Sequence, residues 1–143
     1  MRLFSVAPVA ALVLVVDAPS VTPWMDDAAL NTAFAGKTIQ GHYASGKAFT
    51  ETYKPDGAIE YKERTVEYRG HWSLQAGSFC TIYHGDPSGG CYQVRQVSDN
   101  CYEFYFVTRT EAEAAEGDIG RPSWTARAAL SDRDATCSDK PAV

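Results

Sequence analysis

The chain has 143 residues, a formal net charge of −5, and is 45% hydrophobic and 12% aromatic. That length suits one domain built on a single core. The acidic balance and the lack of a basic stretch exclude nucleic acid and an anionic membrane surface as partners, since both need clustered Lys and Arg.

Residues 1–20 read as a signal peptide. Arg2 supplies the positive start, and an almost unbroken apolar run covers residues 6–16. The run is shorter than the roughly 20 residues of a membrane-spanning helix, so no transmembrane anchor is expected in the mature form. Val16-Asp17-Ala18 has the spacing of a cleavage site but is followed by Pro19; a later cut near Thr22 is the alternative. Residues 21–143 then form a single β-rich domain with an irregular C-terminal tail.

Residues 26–35 predict a short N-terminal helix. Asp26 and Asp27 suit its positive end, Leu30 and Phe34 share one face, and Gly36 is a good stop. From Lys37 the period changes to two. Strands are expected over residues 37–44, through Phe49, Glu51 and Tyr53, over 58–63, and along Val66, Tyr68, Trp72 and Leu74. Ser45-Gly46-Lys47 and Pro55-Asp56-Gly57 are the turns between them. Gly70 interrupts the longest strand and marks a bulge or a barrel corner. Further strands follow over 79–84, 91–97 and 101–108, the last with Tyr102, Phe104 and Phe106 on its core side. Residues 111–116 read as one acidic helical turn, 117–122 as a loop, and 124–130 as a final strand. The expected fold is therefore mainly β. It is a single antiparallel meander of about seven or eight strands that forms a small barrel or a strongly bent sheet.

Four cysteines in a short exported chain suggest two disulfides. Three connectivities are possible, and hairpin arithmetic favours one. If Gly85-Asp86 is a hairpin tip, paired residues sum to a constant, and Cys80 and Cys91 give that same sum. They would face each other across two strands, close enough to bond. Cys101–Cys137 would then tie the tail to the sheet. Zinc is the competing reading, but no C-x2-C unit is present.

The segments Gly36-Lys37-Thr38, Gly46-Lys47-Ala48-Phe49-Thr50-Glu51-Thr52-Tyr53, Pro55-Asp56-Gly57, Gly70-His71-Trp72, Phe79-Cys80 and Cys91-Tyr92-Gln93-Val94 form a pattern. It resembles that of a group of small exported proteobacterial proteins of unknown function, over about residues 34–107. The resemblance implies a periplasmic address and a lipocalin-like β fold, and it implies no activity. Cys101, Cys137 and the tail lie outside the pattern.

No side-chain spacing carries a named chemistry. His42, His71 and His84 fall on different strands with no metal-binding spacing, so neither metal nor cofactor is expected. Gly85 to Gly90 lacks the Lys of a phosphate loop. Glu51 shares a face with Phe49 and Tyr53, so its carboxylate turns inward if those rings do. It would then need a partner, for which Arg69 and Arg95 are the candidates by strand position. The eight tyrosines all fall on expected strands. Glu51, Tyr53, Tyr68, Trp72 and Tyr105 are the candidate binding residues. Together these features point to a monomeric, non-catalytic periplasmic or secreted protein. Its partner would be a small molecule, a cell-wall fragment or an envelope protein, and an inhibitor of a secreted hydrolase belongs to the same class. The alternatives are a small enzyme using Glu and His in a barrel pocket, or a purely structural envelope component.

Overall fold

The computed structural model describes residues 22–85, 89–107 and 123–138. The expected signal peptide, residues 86–88 of the expected hairpin end, the expected acidic helical turn and loop within 108–122, and residues 139–143 lie outside these.

One helix precedes eight strands: α1 (Asp27–Phe34), β1 (Lys37–Tyr43), β2 (Ala48–Tyr53), β3 (Ala58–Glu63), β4 (Val66–Gln75), β5 (Ser78–Tyr83), β6 (Cys91–Ser98), β7 (Cys101–Phe106) and β8 (Ala126–Leu130). Each strand is antiparallel to the next, and β8 returns to β1, so the sheet closes into a barrel. Strand alternation then sends one set of side chains inside and the other out.

Local chemistry sets the first element. The Asp26 carboxylate accepts from the Ala29 N–H at 2.8 Å, which caps α1. Leu30 and Phe34, one helical turn apart, are fully buried. Phe34 packs against Tyr53, Phe79, Tyr102 and Phe104 at ring separations of 5.0–5.8 Å. Tyr53 ends β2, while Phe79 and Tyr102 lie at the starts of β5 and β7, so α1 plugs that end of the barrel.

The turns behave as their residues require. Gly57 takes a φ of 91°, its N–H donates to the Lys54 carbonyl, and Asp56 accepts from the Ala58 N–H. Gly70 differs from the expectation of a bulge. The ladder runs unbroken through it, from Ile59 on one side to Tyr83 on the other. A Cβ there would fall 1.8 Å from the Ile82 carbonyl oxygen, so close backbone approach is what requires glycine. The register shift lies instead in β6, between Gln96 and Ser98. The last strand begins at Ala126, two residues later than the sequence pattern suggests. Phe106 faces the core side as expected but is 45% exposed, because it stands at the barrel mouth.

Both disulfides form, Cys80–Cys91 and Cys101–Cys137. Cys80 pairs with Cys91 and Phe79 with Tyr92, the register that the hairpin sum requires. Two disulfides fit folding in an oxidising compartment. No helix among the described residues is long and apolar enough to cross a membrane.

The outer face of β6, β7 and β8 carries its own buried polar cluster. Arg127 binds the Glu103 carboxylate through Nε at 3.0 Å and Nη2 at 2.5 Å, and Tyr105 donates to the same carboxylate. Arg95 lies between the rings of Trp24 and Tyr105, at 4.5 and 4.8 Å. Behind it, Asn100 pins the tail: its amide donates to the Leu130, Arg133 and Asp134 carbonyls and accepts from the Leu130 N–H.

Candidate functional site

The end opposite α1 is lined by tyrosine. The inward residues nearest this mouth are Tyr43 from β1, Phe49 from β2, Tyr61 from β3, Tyr68 from β4, Tyr83 from β5, and Tyr92 and Phe106 from β6 and β7. Their rings form two connected runs. Tyr43, Phe49 and Tyr61 follow one another at 4.8 and 6.2 Å. Tyr61 meets Tyr83 at 5.3 Å and Tyr68 at 6.0 Å, and Tyr92 stacks on Phe106 at 5.0 Å. Tyr43, Tyr68 and Tyr92 are half-buried, so the mouth reaches solvent through aromatic rings.

Below these rings sits Glu51, 6% exposed and inside the barrel. Its two carboxylate oxygens accept hydrogen bonds from the Tyr53 and Tyr83 hydroxyls. Tyr53 is two residues along the same strand and face; Tyr83 reaches across from β5. Burial pushes the Glu51 carboxyl above its ordinary range, and the two hydrogen bonds oppose that rise only in part. The tyrosines respond to the same low-dielectric interior. Burial pushes Tyr43 and Tyr92 up to about 12, with the nearby Glu51 charge adding to both. Tyr53, Tyr61 and Tyr83 are also raised, chiefly by burial, so all of these hydroxyls are protonated donors at neutral pH.

A second carboxylate, Glu63, stands at the rim. It accepts from Tyr61 at 2.6 Å and pairs with Lys47 at 2.6 Å. These contacts, with Lys47 the larger, hold its carboxyl below the ordinary range. Tyr43 donates to the Tyr61 hydroxyl at 3.3 Å, which extends the chain of hydroxyls across the mouth.

The structure sorts the five sequence candidates into three places. Glu51 and Tyr68 belong to the mouth, with Tyr53 directly beneath. Trp72 lies toward the plugged end, where its indole donates to the Lys54 carbonyl at 2.8 Å and its ring stacks on Phe79. Tyr105 is outside the barrel, 2% exposed beneath Trp24 and Arg95, because β7 turns Tyr102, Phe104 and Phe106 inward instead. The expected Arg partner for Glu51 is also corrected. Arg69 is exposed and Arg95 is sandwiched on the outer face, so tyrosine hydroxyls fill that role.

Sequence reasoning passed over Tyr43, Tyr61, Tyr83 and Tyr92 as members of one site. The signal was present as strand alternation: each falls on the inward phase of its strand. The histidines do not assemble. His71 and His84 lie side by side at 5.2 Å on the outer surface, while His42 packs against Trp124. No group of three or more His, Cys, Asp or Glu among the described residues is placed to hold a metal. A groove of about 510 Å³ runs beside α1 at the plugged end, and none of the residues around Glu51 lines it.

No protein-family model matches the chain, and no curated protein matches it either.

Proposed function

We propose that this chain is a non-catalytic periplasmic or secreted binding protein that takes a small ligand at the tyrosine-lined mouth of its barrel. The observation that carries this reading is the buried Glu51 carboxyl, held among the described residues by two tyrosine hydroxyls beneath half-exposed aromatic rings. A core that serves stability only gains nothing from a buried carboxyl, since a well-packed apolar residue costs less. Buried polar groups converging under an aromatic cup are how small-ligand sites fix orientation. The division of the barrel supports the same reading: α1 and its ring cluster fill one end, leaving the other to be lined by amphipathic side chains. The two disulfides and the apolar leader are consistent with the periplasm.

Native mass spectrometry of protein purified gently from its own compartment tests this. A retained small molecule, lost on denaturation and absent from a Tyr92→Ala variant, is the expected result. A bare wild-type chain that also fails to bind a panel of small aromatic and aliphatic compounds refutes it.

A further inference from the structure

We infer that the ligand of the tyrosine-lined mouth is a small organic ammonium cation, seated against the tyrosine rings with Glu51 as its counter-charge. This rests on the reading that the mouth takes a ligand at all, and adds the ligand's chemical class.

Every element of the barrel sends a side chain toward Glu51 or its surroundings. On its own strand, β2, the neighbour is Tyr53. From β1 comes Tyr43, from β3 Tyr61 and Glu63, from β4 Tyr68, from β5 Thr81 and Tyr83, and from β6 Tyr92. The inward residues of β7 are Tyr102, Phe104 and Phe106, those of β8 are Ala126, Ala128 and Leu130, and α1 presents Phe34 below. Among the described residues, none of these is a cation. At the rim Lys47 is tied to Glu63, and Arg64 in the β3–β4 turn acts on the same carboxylate. Arg69, Arg95 and Arg127 all lie on the outer face. Among the described residues the mouth therefore holds two carboxyl groups, Lys47 and Arg64 both acting on Glu63, and a set of electron-rich rings around Glu51.

That composition selects by charge. The face of a tyrosine ring carries the negative part of its quadrupole, so it attracts a cation and repels an anion. Several such faces around a carboxylate form an aromatic cage, the arrangement that suits ammonium groups. A neutral ligand gains only its apolar contacts there. The hydroxyls of Tyr53 and Tyr83 point their protons at Glu51, so they orient the carboxylate as an acceptor and leave it able to receive an N–H donor as well.

A proton and an ammonium group compete for the same charge. With the barrel empty, burial favours the protonated carboxyl. Binding the cation requires the carboxylate, so it expels that proton to solvent: Glu51-COOH plus R-NH3⁺ gives the Glu51-COO⁻ R-NH3⁺ pair plus H⁺. Affinity should therefore rise with pH until Glu51 is ionised in the free protein, and then level off until the amine itself loses its proton.

Isothermal titration with three probes of one shape tests this: phenethylamine, phenethyl alcohol and phenylacetate. The amine should bind at least about tenfold more tightly than the alcohol, and phenylacetate should not bind. The heat should vary with the ionisation enthalpy of the buffer, reporting proton release. Glu51→Gln should weaken the amine by about tenfold or more and abolish the buffer dependence, while leaving the alcohol unchanged. Tyr92→Ala, at the half-buried rim, should weaken the amine in a barrel whose Glu51 is intact. Equal affinity for amine and alcohol, or no binding of the amine by the wild type, overturns the cation assignment. The broader reading falls only if no probe of any charge binds and the protein from its own compartment is also bare.

Discussion

Replacing Glu51 by Gln probes the buried carboxyl through stability alone, with no ligand present. Gln keeps the shape: its carbonyl accepts from one tyrosine and its amide donates to the other. What it removes is titration. In the native protein burial holds the carboxyl above its ordinary value of 4.5. The unfolded chain loses the proton near that ordinary value, while the native state keeps it. Stability from this group is thus complete below about pH 4.5, declines as pH rises through the native pKa, and is flat above it. The steepest part of that decline is about 1.4 kcal/mol per pH unit, the value for one proton. For a domain of this size, 1 kcal/mol moves Tm by about 3–6 °C. Glu60, Glu63 and Asp132 are held low by Lys54, Lys47 and Lys37 and act in the opposite sense, losing stability as pH falls. They are present in both proteins and cancel in the difference. Thermal melts followed by far-ultraviolet circular dichroism from pH 4 to 8 should show the wild type falling relative to Glu51→Gln as pH rises. A Tm difference that stays constant, or moves the other way, refutes the buried, tyrosine-held carboxyl.

Two further outcomes follow from the framework around the site. Loop entropy assigns about 2.8 kcal/mol to Cys80–Cys91 and about 3.8 kcal/mol to Cys101–Cys137, from sequence separations of 11 and 36. Urea titration of the two double Cys→Ser variants should rank them in that order of loss, and thiol labelling of the denatured wild type should find no free cysteine. Asn100→Ala removes the acceptor for the Leu130 N–H and three donor contacts at a site only 1% exposed. It should cost about 2–3 kcal/mol, against little change for a substitution at the exposed Gln40.

Much of the architecture was legible because it is local. Asp26, Asp27 and Gly36 delimit α1, and Pro55-Asp56-Gly57 places a turn with no tertiary information. The alternation of Phe49, Glu51 and Tyr53 turns Glu51 inward as soon as the rings are assigned to the core. The hairpin sum at Cys80 and Cys91 works because antiparallel pairing is a two-residue arithmetic. The rest depends on closure. Tyr83 lies more than thirty residues beyond Glu51 and on β5, so only the curvature of the whole sheet brings its hydroxyl to the carboxylate. The same limit misassigned Arg95. Its position in the strand is right for a salt bridge, but its phase points outward, where Trp24 covers it. Tyr105 failed for a related reason: it is buried and aromatic, yet buried by an N-terminal strap that adds a layer outside the barrel. Burial in a barrel has two origins, and strand periodicity marks only the inner one.

The seam between β5 and β6 is the shortest in the barrel among the described residues. It consists of two register pairs, Phe79 with Tyr92 and Cys80 with Cys91, and a bond from the Thr81 N–H to the Gly90 carbonyl. Farther along, Met25 of the N-terminal strap supplies the N–H that meets the Val94 carbonyl. The Cys80–Cys91 bridge therefore works as a clasp on a cylinder that would otherwise part at this line. A cylinder offers no free strand edge to another chain; a parted one offers two. Reduction of this clasp would then show itself in self-association as well as in melting temperature, with one barrel's β5 edge adding to another's β6.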